Sequence, residues 1–136
     1  MNKTEIFFHA RDWNAAGRFQ GTQDIPLNDI GRRQAEDAGC VLGDLVKGNG
    51  HDHAALPYVS SPLGRARQTM ELVRGTLALP LEGYSLDPRL REIGYGRWEG
   101  LTLPQMETHD AVTFASRRAD VWGVAAPGGE SYASVT

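Results

Sequence analysis

Strand-like and helix-like segments alternate along the first eighty residues, and this alternation constrains the fold more than any composition figure. Thr4–Phe8 is a short run of β-branched and aromatic residues with the content of a buried strand. Ala15–Pro26 is polar and Gly-bearing and reads as a loop. Asn28 is placed to cap a helix in which Ile30, Ala35, Ala38, Val41, Leu42 and Leu45 recur at helical spacing. The Gly/Asn-rich stretch Lys47–His53 ends it. A second strand is expected over Leu56–Val59, closing in Ser60-Ser61-Pro62. A helix over Leu63–Leu77 follows, with Ala66, Met70, Val73 and Leu77 on one face. Tyr84–Leu90 reads as a third extended piece. Thr102 caps a further helix with Pro104 and Gln105 in its first turn. Ser131 caps a last one after the turn Ala126–Ser131. Strand, helix, strand, helix predicts an α/β fold with parallel crossover connections, in which ligands bind beyond the carboxyl ends of the strands.

At 136 residues the chain is expected to be one domain, residues 1–136. A net charge of −3 argues against a non-specific nucleic-acid or anionic-membrane surface. No apolar run approaches the roughly 20 residues of a membrane span, and the first residues do not read as a signal peptide. One cysteine, Cys40, excludes an internal disulfide; within its apolar helical pattern it is expected to be a small core residue of a cytoplasmic protein. Twelve of the fourteen cations are arginine, whose planar fork matches phosphate and carboxylate oxygens.

Two expected strand ends carry chemistry-bearing residues, His9 and Ser60-Ser61. In SSPLGRARQT, Ser60–Thr69, a strand ends and a helix opens with Arg65 and Arg67 near its N-terminus, where backbone N–H groups and the helix dipole favour an anion. The two arginines are two residues apart, so at most one faces such a site; the bland alternative is a solvated face. In RLREIGYGRWEG, Arg89–Gly100, Glu92 precedes a Gly-x-Gly turn. A carboxylic acid beside anion-binding arginines can protonate a leaving oxygen; the alternative is a salt bridge to Arg89, Arg91 or Arg97. His9 could attack phosphorus through a neutral imidazole nitrogen, or be a hydrogen-bonded core histidine. His51 and His53 sit in a Gly/Asn loop with no further ligand spaced for a metal, and read as solvated. His109 reads as surface.

Taken in order, DWNAAGRFQG (Asp12–Gly21), DIPLNDIGRRQAEDAG (Asp24–Gly39), SSPLGRARQT, LREIGYGRWEG (Leu90–Gly100) and PGGES (Pro127–Ser131) resemble the motifs of the histidine phosphatase superfamily, in its phosphoglycerate mutase-like branch. The resemblance implies a three-layer α/β/α sandwich with a mostly parallel central sheet. It implies metal-independent, cofactor-free phosphoryl transfer on a small phosphorylated metabolite, with a homodimer left open. His9 would be the nucleophile, Arg65 the phosphate clamp and Glu92 the proton donor. Asn14, Gln20, Gly21, Ser61 and Tyr95 would line the pocket. A compact stretch after Glu92 favours a phosphatase over a mutase, and a catalytically inactive member that binds phosphorylated ligands or a protein is the alternative of another class.

The chain departs from the family pattern at both ends. Phe8 stands where the family has Arg before the nucleophile, and His9–Asn14 is one residue short, so that an ungapped alignment on Asp12-Trp13-Asn14 puts Phe8 at the nucleophile position. Arg11 is the candidate to replace the missing cation. Family members continue past the Gly-Gly-Glu-Ser segment to a strand bearing a second histidine, so these 136 residues are expected to be part of a longer molecule.

Overall fold

The computed structural model describes Trp13 and residues 16–135; the expected strand Thr4–Phe8 and the site candidates His9, Arg11 and Asn14 lie outside the described residues. The chain divides into two compact units, one holding Pro26–Leu90, the other holding the loop up to Ile25 together with the chain from Arg91 on.

In the first unit, helix α1 (Asp29–Gly48) starts where Asn28 predicts, with the Asn28 side chain accepting from the Gly31 N–H. A turn of 3₁₀ helix, His53–Ala55, leads to strand β1 (Val59–Ser60). Helix α2 (Gly64–Thr76) follows, and then strand β2 (Ser85–Leu86), which pairs in parallel with β1 in the register Val59 to Ser85 and Ser60 to Leu86. This strand–helix–strand crossover makes the fold α/β. Both strands are shorter than the sequence suggests; β1 begins only at Val59, and after Leu86 the chain turns at once into a 3₁₀ turn, Pro88–Leu90.

The packing of α1 on α2 corrects one expectation. The buried stripe of α1 is Gly31, Ala35 and Gly39, spaced four apart, whereas Ile30, Val41 and Leu45 are exposed and Cys40 is an exposed free thiol rather than a core residue. Small residues let the two backbones approach closely. A Cβ on Gly39 would stand 2.9 Å from Thr76 Cβ and 3.0 Å from the Val73 carbonyl oxygen. Cys40 follows Gly39 by about 100° of helix rotation and so turns off that stripe. His51 is exposed as expected, but His53 is half-buried, its Nε2 3.1 Å from the Leu77 carbonyl oxygen at the end of α2. Arg74 fixes the return to β2, donating to the Pro80 and Glu82 carbonyls and lying 4.7 Å over the Tyr58 ring.

The second unit is built around Trp98, Met106, Phe114 and Ala126, with Phe19, Tyr95 and Leu101 against them. Thr102 opens helix α3 (Leu103–His109), its N–H and hydroxyl both donating to Gln105 Oε1. Helix α4 (Ala111–Ala119) starts on the Asp110 side chain, and α5 (Tyr132–Val135) on Ser131, whose Oγ accepts from the Ser134 N–H. Arg18 ties the entering loop to this core, pairing with Thr102 in an isolated antiparallel bridge and donating to the Gly100 carbonyl at 2.6 Å. No helix among the described residues is long and apolar enough to cross a membrane.

Candidate functional site

In the first unit, Ser60, Ser61 and Arg65 lie at the end of β1 and the head of α2. Ser60 and Ser61 are both buried. The Ser60 hydroxyl donates to the Ser61 carbonyl, and the Leu63 N–H approaches Ser61 Oγ at 3.4 Å, so the two serines shape the turn that launches the helix. Arg65 is the second residue of α2 and only 6% exposed, while Arg67 is exposed. The two-residue offset therefore separates them as helix geometry requires, and of the two it is Arg65 that leaves the solvated face. At the head of α2 it stands where the backbone N–H groups and the positive end of the helix dipole favour an anion.

In the second unit, two loops and a turn carry Gln20, Gly21, Glu92 and Tyr95. Gln20 is buried, and Gly21 takes a left-handed backbone at φ +54. A Cβ there would fall 2.3 Å from Glu99 Oε1 and 2.9 Å from the Tyr95 nitrogen, so no other residue fits. Glu99 holds the two loops together, accepting from the Thr22 N–H and Oγ1 at 2.9 Å each and from the Tyr95 N–H at 3.2 Å. Burial pushes its carboxyl up, but the Thr22 and Tyr95 bonds outweigh that and leave it below the usual carboxylate range. Glu130 does the same for the next turn. It accepts from the Gly94 N–H at 2.8 Å and from Arg91, and both bonds, Gly94's first, lower its carboxyl.

The backbone of 94–96 lies directly on that of 127–129. The Glu130 N–H donates to the Gly94 carbonyl and the Arg97 N–H to the Pro127 carbonyl. A Cβ on Gly96 would meet the Gly128 carbonyl carbon at 2.4 Å.

Glu92 is exposed at the start of this turn. Two of the three arginines considered as its structural partners are engaged elsewhere: Arg89 with Asp87 and Arg91 with Glu130. Tyr95 is half-buried, edge-on to Phe19 with ring centroids 4.9 Å apart, and lies 5.6 Å beneath the Arg117 guanidinium. Burial, then Tyr132, then the charge of Glu92 push its phenol up to about 12, so the hydroxyl stays a neutral donor at neutral pH.

Of the expected site residues, Arg65 and Ser61 thus lie in the first unit and Gln20, Gly21, Glu92 and Tyr95 in the second. Three residues carry this architecture without having been singled out: Glu99, Glu130 and Arg117. The first two had a local signal, a carboxylate beside a glycine turn whose backbone N–H groups need acceptors.

The sequence profile described as "Histidine phosphatase superfamily (branch 1)" matches residues 10–136, a span that begins one residue after His9. The "Probable phosphoglycerate mutase GpmB" of Yersinia pestis is 33% identical over 119 residues, 88% of this chain and 50% of that protein. A mycobacterial glucosyl-3-phosphoglycerate phosphatase structure superposes with a TM-score of 0.72 at 34% identity, covering 94% of this chain and 55% of that one. Bacillus stearothermophilus YhfR does so with a TM-score of 0.71 at 33% identity, covering 94% and 58%. The chain therefore spans about half the length of the relatives it matches, and shares their α/β fold over that half.

Proposed function

The chain belongs to the histidine phosphatase superfamily, branch 1, and from that membership we propose that the full-length protein transfers the phosphoryl group of a small phosphomonoester through a phosphohistidine. In this reading a neutral His9 nitrogen attacks phosphorus and the bond to the ester oxygen breaks. Glu92 gives that oxygen its proton, so that the alcohol leaves neutral. Arg65, with Arg11, neutralises the remaining phosphoryl oxygens. Water then attacks the phosphohistidine and returns a proton to Glu92, releasing phosphate and the neutral imidazole. Asn14, Gln20, Gly21, Ser61 and Tyr95 line the pocket. A cytoplasmic setting accompanies the reading, since the one cysteine is an exposed free thiol.

The observation that carries it is the desolvated Arg65 guanidinium at the head of α2, immediately after the β1 end, in a chain of this family. The compact stretch after Glu92 favours water over a second substrate hydroxyl as acceptor. The mutase reading draws on the name of the Yersinia relative, and Phe8 beside His9 motivates the inactive, ligand-binding reading.

The test is metal-free turnover of p-nitrophenyl phosphate by the full-length protein, with acid-labile phosphate trapped and mapped. Turnover with label on His9, lost in His9→Asn, is expected. Label on another residue moves the nucleophile; neither turnover nor label ends the enzyme reading and leaves the binding one.

A further inference from the structure

Glu92 sits in a stretch that no regular element holds. Residues 92–95 lie in neither helix nor strand, and a turn of 3₁₀ helix begins only at Gly96. A proton donor works from a fixed place, because its hydrogen must come within hydrogen-bond reach of the departing oxygen. The Glu130 side chain ties down the backbone on both sides of Glu92. Its Oε1 accepts from the Arg91 guanidinium, and its Oε2 accepts from the Gly94 N–H at 2.8 Å. The two bonds straddle residue 92, one position before it and two after. The Glu130 N–H adds a third, donating to the Gly94 carbonyl at 2.8 Å.

Glycine allows the segment before Glu130 to lie this close. A Cβ on Gly129 would stand 2.5 Å from the Gly94 carbonyl oxygen and 2.9 Å from the Tyr95 carbonyl carbon, both backbone atoms of the turn. A Cβ on Gly94 would in turn press on Glu130 Oε2 at 3.2 Å. One carboxylate thus serves as a template for the turn, and all the groups it holds belong to the second unit. We propose that Glu130 is a positioning residue for the proton donor: by clamping Arg91 and Gly94 it sets where the Glu92 carboxyl stands. The inference rests on the phosphoryl-transfer reading for the role of Glu92.

The test compares two esters on the full-length protein. Glycerol 1-phosphate needs its leaving oxygen protonated, whereas p-nitrophenyl phosphate does not, so a misplaced acid lowers the first selectively. Displacing a reacting group by about 1 Å lowers a rate by about 10²-fold. Glu130→Ala is therefore expected to lower kcat on glycerol 1-phosphate by about 10–10²-fold with KM unchanged, and on p-nitrophenyl phosphate by about threefold or less. Glu130→Gln keeps an oxygen for the Gly94 N–H but turns an amide towards Arg91, and should fall between parent and alanine variant. In a Glu92→Gln background, Glu130→Ala should lower both esters by the same factor. The p-nitrophenyl phosphate rate reports folding in every variant. Should Glu130→Ala lose that rate as well, Arg91→Gln decides by the same ratio, since its side chain is 43% exposed and its loss opens no core. Equal losses on the two esters, or a selective loss that persists with Glu92→Gln, overturn the clamp and leave phosphoryl transfer standing. A parent that hydrolyses neither ester overturns phosphoryl transfer and the clamp's role with it.

Discussion

Three glycines separate backbone strain from steric exclusion. Gly17 has φ +65, and a Cβ there meets nothing within 4 Å. Gly17→Ala therefore incurs only the left-handed conformation, about 1–2 kcal/mol. Gly96 has φ +52, but a Cβ would lie 2.4–2.5 Å from Gly128, Gly129 and the Pro127 oxygen. These are all backbone atoms, so no rotamer relieves the overlap. Gly96→Ala is expected to cost about 3 kcal/mol or more and to displace the turn that carries Tyr95. Urea melts of the two variants check the difference; equal losses would mean that the two turns are not in contact. Gly21 belongs with Gly96, because its would-be Cβ meets a carboxylate oxygen and a peptide nitrogen.

At the scale of elements, two kinds of joint hold the units. Helices α1 and α2 meet over Gly39, at a helical φ where an added side chain brings no backbone strain. Gly39→Leu gains about 1 kcal/mol of helix propensity yet loses about 1–3 kcal/mol by prising Thr76 and the Val73 carbonyl away. Gly48→Ala, at the far end of the same helix with nothing within 4 Å, is expected to be neutral or stabilising. Thermal melts of the pair decide whether α1 packs through its small residues or through its large ones.

The second unit's loops are instead joined by carboxylates. Glu99 and Glu130 both titrate below their ordinary 4.5 when folded, so they bind fewer protons folded than unfolded. The stability they contribute is complete above 4.5 and is lost as pH falls through their lowered values. Acid melts should therefore show an unfolding limb below about pH 4.5 that flattens in Glu99→Gln/Glu130→Gln. A limb unchanged in that variant would assign acid sensitivity elsewhere, for instance to Asp87, which Arg89 holds at about 2.

For the molecule as a whole, what could be read from sequence was what short-range physics encodes. The Asn28 cap, the Thr102–Gln105 capping box, the Ser131 cap and the α/β alternation each depend on residues a turn apart, and each stands in the structure. Cys40 was misplaced because helical periodicity ranks large apolar residues first, whereas this helix packs through glycine and alanine. Glu99 has one local partner, the Tyr95 N–H four residues away, but its role in joining two loops depends on Thr22, 77 positions distant, and Arg117 meets ring faces rather than a carboxylate.

The proposed chemistry likewise depends on stretches remote in sequence, and its most discriminating residue is Glu92. If Glu92 protonates the departing oxygen, its value depends on how poor the leaving group is. Glu92→Gln should then lower kcat/KM for glycerol 1-phosphate by about 10²–10⁴-fold, the usual worth of a positioned acid. For p-nitrophenyl phosphate, whose phenolate departs without a proton, the loss should stay within about tenfold. In the parent, the rate on glycerol 1-phosphate should be bell-shaped in pH, because attack needs a neutral imidazole and departure a protonated carboxyl. With p-nitrophenyl phosphate the alkaline limb should fade. A Glu92 that merely braced its turn would lower both substrates equally and leave both pH profiles unaltered.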